Sequence, residues 1–231
     1  MRIWDLNPGY LNRQSLLGEH RELHGIVSII TNNKKGYSKH PETLRWSGYG
    51  WALTARHKLL SAEMELRNFN ERSPVNMNDN KGLWPPDYID EPVTQLHILA
   101  KKYLEKEKGR IFLPQTAQQL WSHHKYSILA RDVVLYKKIG RTVAGMSPDE
   151  DFSSLFNLLT KKLHFAPSAG GIRNAIQHMW GHVAAHYSDS REIVSTWSLH
   201  ELFDNMQKLA VKINEPYLMN STALSELKIW I

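Results

Sequence analysis

Glu22 sits at the centre of GEHRELHG, residues 18–25, in surroundings that a plain structural helix does not need. On an α-helix the positions i−4 and i+3 share a residue's face. Here those positions are Gly18 and Gly25, and each glycine costs about 1 kcal/mol relative to alanine inside a helix. Two readings fit. One is a solvated Arg21–Glu22 surface on which two glycines are tolerated. The other is a concave site floored by bare backbone, where something large approaches the Glu22 carboxylate closely.

A second concentration of reactive side chains lies towards the C-terminus. His178, His182 and His186 follow an i, i+4, i+8 spacing that would align them on one face of one helix, while His123 and His124 stand beside Lys125. Imidazoles at i and i+4 suit a metal ion. No carboxylate stands at the usual companion position, however. Histidines in a basic helical domain also serve as packing residues or phosphate contacts. The neighbouring cations Lys125, Arg131, Lys137, Lys138 and Arg141 favour a polyanion.

The elements that must position these groups are helices. Residues 11–30 put Leu16, His20, Leu23, Val27 and Ile30 on one stripe at 3–4 spacing, with Glu22 and its glycines on a different face. The polar stretch TNNKKGYSKHPET breaks that pattern. A second helix fits 50–69, with Leu53, Leu60 and Met64 on its apolar side and SPVN as its stop. The stretch NMNDNKGLWPPDYIDEP reads as a linker. Helical patterns then cover 93–108, 116–130, 132–144, 151–164, 171–187 and 198–213. No strand alternation, internal repeat or low-complexity tract emerges. The expectation is an all-α chain of two small helical domains, 1–90 and 91–231, joined by an Asn/Pro-rich linker, with the division lying somewhere in 76–112.

Composition narrows the chemistry further. The 231 residues contain no cysteine, which excludes disulfides, thiolate catalysis and Cys-ligated zinc. Eight Trp and nine Tyr within a 42% hydrophobic composition supply a packed core. No apolar run is long enough to span a bilayer and the N-terminus lacks a signal-peptide pattern, so a cytoplasmic protein is expected. The net charge of +6 is concentrated in residues 1–75 and 101–190. That is compatible with a nucleic-acid partner and also with many ordinary enzymes.

The stretch MRIWDLNPGYLNRQSLLGEHRELHGIVSII, followed by NNKKGYSKHPE and RHKLLSAEMELRNFNERSP, resembles the pyrimidine-dimer DNA glycosylase family typified by phage endonuclease V. The likeness covers roughly residues 1–75. It implies a glycosylase with AP lyase activity on UV-damaged pyrimidines, whose nucleophile is the N-terminal α-amine and whose acid is the glutamate of an R-E-L element. Arg21 and Glu22 match that element. The amine falls on Met1, because Arg2 is too bulky for ordinary initiator removal. An α-amine ordinarily titrates near 7.7–8.0, so a neutral, nucleophilic fraction exists at neutral pH. It would attack C1′ of the damaged nucleotide and form a Schiff base, with Glu22 assisting base release and β-elimination.

The same resemblance implies double-stranded DNA with damaged or abasic nucleotides as partner, a nucleoid-associated location, no membrane, and no metal or other cofactor. Arg2, Arg13, Arg21, Lys34, Lys35 and Lys39 become phosphate contacts, and Gln14 a DNA-contacting residue. Trp51 stands where the phage enzyme has a histidine; it would stack on a base or belong to the core.

The segments LWSHHKYSILARDVVLYKKIGRTVAG and GGIRNAIQHMWGHVAAHYS, within about 115–215, resemble the YbgA-like helical domain. That likeness brings no activity with it. It leaves His123, His124, Lys125, His178 and His182 as a possible second site. The alternative for the whole chain is a nucleic-acid-binding or adaptor protein whose activity, if any, resides in this second domain.

Overall fold

The computed structural model describes residues 1–187, 194 and 196–231. Among these every regular element is helical, in line with the all-α expectation. The chain divides into two compact units, Met1–Gly109 and Arg110–Ile231. Among the described residues no helix is long and apolar enough to cross a membrane.

The first unit holds α1 (Arg13–Thr31), α2 (Pro41–Trp46), α3 (Gly50–Leu66) and α4 (Pro92–Lys102), preceded by a 3₁₀ turn at Pro8–Tyr10. Helix α1 starts where the Asn12 side chain accepts from Ser15 N at 2.9 Å, satisfying a backbone donor that the helix itself cannot. Its buried stripe is Ser15, Leu16, Glu19, Leu23 and Ile26. Val27 and Ile30 lie outside that stripe, half-buried, and His20 falls at its edge. Periodicity therefore located the helix, but the buried face is rotated towards Glu19. A charged residue inside an apolar stripe is tolerated because it is paired: Arg56 of α3 holds both Glu19 oxygens, at 2.7 and 2.8 Å.

Helix α2 begins within the polar stretch that breaks the helical pattern. Its start is nonetheless written there: His40 caps it and Pro41 occupies the first turn, where a missing N–H costs nothing.

Residues 3–11 belong to no strand, yet they are buried. Side chains supply the acceptors that a sheet would otherwise provide. The N–H of Arg2 donates to Glu22, that of Ile3 to Glu42 at 3.3 Å, that of Trp4 to Glu19, and that of Asp5 to Gln95 at 2.8 Å. The carbonyls of Leu6 and Leu11 accept from the guanidinium groups of Arg56 and Arg67, each at 2.7 Å.

Gln95 belongs to α4, and Tyr103 just beyond it accepts the N–H of Asn12 at 2.9 Å. Residues 91–109 are thus bonded into the first unit, and the division falls at 109/110 rather than after residue 90. Gly109 makes the last approach possible: a Cβ there would stand 2.4 Å from the Tyr10 carbonyl oxygen.

The second unit holds α5 (Ala117–Leu129), α6 (Val133–Ala144), α7 (Ser153–Leu163), α8 (Ala169–Trp180), α9 (Leu199–Lys212), α10 (Pro216–Met219) and α11 (Ala223–Glu226). Helix α5 lies centrally against α6, α7, α8 and α11. Its neighbours bury Leu120, Ile128, Phe156, Ile172, Met179 and Phe203. Thr116, Asp132 and Ser168 cap α5, α6 and α8, and Ser198 with Glu201 forms a capping box at α9.

Candidate active site

Glu22 projects from α1 towards the N-terminal segment. Its Oε2 accepts the Arg2 backbone N–H at 2.5 Å, which brings the carboxylate to within one residue of the chain's terminal nitrogen. That nitrogen, on Met1, lies 3.4 Å from His40 Nε2. The other ring nitrogen of His40 accepts from Glu42 N at 3.2 Å as the cap of α2. Because Nδ1 accepts, a neutral ring carries its proton on Nε2, the tautomer being assigned from that bond. The Nε2 then faces the terminal nitrogen. The only sequence signal at His40 is the His-Pro pair at 40–41, which marks a helix start.

A buried acidic network fixes the rest of this wall. Glu42 accepts from Ile3 N, from Arg45 and from Trp46 Nε1. Burial pushes its carboxyl up in pKa, and the Arg45 guanidinium opposes that rise. Arg45 also pairs with Asp5, itself bonded by Gln95 Nε2 at 2.7 Å. Each of these carboxylates has a cation or amide beside it, as buried charge requires.

Around Glu22 the helix surface is bare. A Cβ built on either Gly18 or Gly25 would meet nothing within 4 Å. No packing inside the protein calls for these glycines, so their cost to the helix has no internal compensation.

The remaining expected contacts are distributed as follows. Arg21 is exposed and its Nε bonds the Leu17 carbonyl of its own helix, not Glu22. Arg2 pairs with Asp90 and lies over the Trp4 ring, 4.4 Å from its centroid. Arg13 and Gln14 are exposed at the start of α1, with Arg13 5.6 Å from the Phe69 ring. Lys34, Lys35 and Lys39 are exposed on the loop before α2, and Lys34 bonds Ser28 Oγ at 2.8 Å. Trp51 is half-buried, edge-on to Trp84 at 6.3 Å.

The second unit does not gather its histidines. Helix α8 ends at Trp180, and His186 belongs to a separate 3₁₀ turn, so His178, His182 and His186 do not share one helix face. His123 and His124 are buried. Burial holds them down to about 3 and about 4 respectively, hence neutral. His123 packs edge-on against Phe112, and His124 bonds the Leu120 carbonyl. His182 instead meets Tyr126 Oη at 2.6 Å and stacks on Tyr217, with Glu215 at 3.9 Å and Lys125 over both tyrosine rings. Arg131 leaves the expected basic cluster: it is buried in a two-pronged pair with Glu226 at 2.9 and 3.1 Å. Lys137, Lys138 and Arg141 remain exposed.

Comparison with curated proteins and with solved structures finds no match. Two family models do match. One, described as Pyrimidine dimer DNA glycosylase, covers residues 1–77, and the other, described as Protein of unknown function (DUF1722), covers residues 125–227. The first unit thus carries a segment similar to pyrimidine dimer DNA glycosylases, and the second a segment similar to the DUF1722 proteins.

Proposed function

We propose that this protein is a DNA glycosylase with AP lyase activity, acting on UV-damaged pyrimidines in double-stranded DNA through the α-amine of Met1. The observation that carries this reading is the bond from Arg2 N–H to Glu22 Oε2, 2.5 Å long, next to a terminal nitrogen 3.4 Å from His40. On this reading the nucleophile, the carboxylate and the imidazole come from three separate chain segments.

In the proposed reaction the neutral amine attacks C1′ of the extruded nucleotide. The bond from C1′ to the base breaks, and the base leaves with the bonding electrons and takes up a proton. The attached nitrogen gives up one proton, its lone pair forms the C=N bond as the C1′–O4′ bond breaks, and O4′ keeps that bond's electrons and takes up a proton, leaving a protonated Schiff base. The ionised Glu22 stabilises the positive charge that develops on the sugar and the iminium. It then accepts the C2′ proton as the C3′–O bond breaks, which cleaves the strand by β-elimination. His40, whose Nε2 lies 3.4 Å from the terminal nitrogen, orients the amine for attack. No step calls on a metal ion. The bare backbone at Gly18 and Gly25 lets the distorted duplex approach Glu22, while Lys34, Lys35 and Lys39 meet phosphates without reading sequence.

The test is reductive trapping. Borohydride added to the protein with abasic-site duplex is expected to yield a covalent adduct that maps to Met1. A version carrying a cleavable N-terminal extension is expected not to trap until the extension is removed. Equal trapping with and without the extension would rule out the amine.

A further inference from the structure

The two histidines of GEHRELHG are not part of the Glu22 site. At about 100° per residue, His20 and His24 point to the side of α1 opposite Glu22. There they meet His57 of α3 and Glu71, which follows the end of α3. Asn68, in the left-handed conformation at φ 61°, turns the chain between Arg67 and Glu71. One ligand atom from each of His20, His24, His57 and Glu71 lies within 4.8 Å of the other three.

Three features make this a site and not a packing cluster. The Nε2 atoms of His20, His24 and His57 are all buried, and none has a hydrogen-bond partner. The His57 side chain is only 4% exposed, so its nitrogen has no water to turn to. A buried polar atom without a partner is uncommon in a folded protein and calls for an occupant. Glu71 does not fill that role by hydrogen bonding, since its Oε1 stands 3.7 and 3.8 Å from the Nε2 atoms of His20 and His57. The three rings also pack together, two pairs edge-on and one tilted, at centroid distances of 4.7, 4.9 and 5.1 Å.

We infer that His20, His24, His57 and Glu71 bind a divalent metal ion, zinc by the chemistry of the set, which clamps α1 to α3. Three imidazoles and one carboxylate are borderline donors of the kind zinc takes, at about 2.0–2.2 Å in a tetrahedral shell. Two of the ligands, His20 and His24, share one helix at i and i+4, a spacing that lets both reach one ion. Four protein ligands close the shell, so the ion is structural and does not enter the reaction at Glu22. Its effect is to fix the helix whose opposite side presents that carboxylate. The inference stands whether or not the amine mechanism holds.

The full chain, produced without a polyhistidine tag, is loaded with zinc, freed of excess by gel filtration and measured by elemental analysis. Near-equimolar zinc is expected, and the cobalt-loaded chain should show the intense visible bands of tetrahedral Co²⁺. Removal of zinc by a chelator should lower the melting temperature. Glu71→Gln and His24→Gln should each weaken zinc binding by roughly 10–100-fold or more, since even indirect partners of a metal are worth that much. Should both variants fail to fold, zinc content, cobalt spectrum and chelator shift of the unaltered chain decide the matter. Only trace zinc after loading overturns the site, as does unchanged zinc affinity in folded variants.

Discussion

Arg2 and Glu22 are joined by a 2.5 Å bond from the backbone N–H of one to the side chain of the other. A single carboxylate thereby anchors the N-terminal segment and stands ready beside its amine. The two roles separate experimentally. Glutamine can still accept the Arg2 N–H but cannot act as a base or balance positive charge. Glu22→Gln should therefore fold with a stability change within about 1 kcal/mol while strand cleavage falls by roughly 10²–10⁴-fold. Urea denaturation and nicking of abasic duplex measure the two effects on one preparation.

The glycines beside Glu22 should show the opposite trade. With open space at both Cβ positions, Gly18→Ala and Gly25→Ala should each stabilise the protein by up to ~1 kcal/mol. If the bare backbone exists to admit DNA, both should weaken binding to abasic duplex, as seen in a fluorescence anisotropy titration. Stabilised variants that bind unchanged would make these glycines incidental.

His40 both caps α2 and faces the Met1 amine. Asparagine preserves the first function, being a good N-cap, but does not reach as far with a donor. His40→Asn should keep the melting temperature within a few degrees and slow borohydride trapping at neutral pH. Trapping at an unchanged rate in the folded variant would remove His40 from the reaction.

The buried histidines of the second unit should make it acid-labile. The folded pKa values of His123 and His124, about 3 and about 4, lie below the ordinary value of 6.5. The unfolded chain therefore binds more protons than the folded one between those limits, and stability falls as pH drops from about 6.5 towards 4. Each histidine contributes a slope of about 1.4 kcal/mol per pH unit in that window. Hydrogen exchange followed by mass spectrometry should show α5 losing protection over that range, with a shallower dependence in His124→Gln.

Much of the architecture follows from the sequence, because helix formation depends on neighbours three and four residues apart. Most of the helices, the capping residues and the placing of Glu22 between two glycines on one face of α1 are all short-range facts. The short-range signal for α2 is weak, because a six-residue helix offers little beyond its His-Pro start. What periodicity could not supply is which residues meet across helices. His40 reaches the terminal amine, Arg56 neutralises Glu19 inside the core, and His57 and Glu71 turn two α1 histidines into a four-ligand cluster. In the second unit the end of α8 at Trp180 separates three histidines that the spacing alone had aligned. Sequence determines the helices and the faces they offer. The tertiary structure decides the pairings, because burial of one face against another brings together side chains that no local interaction links.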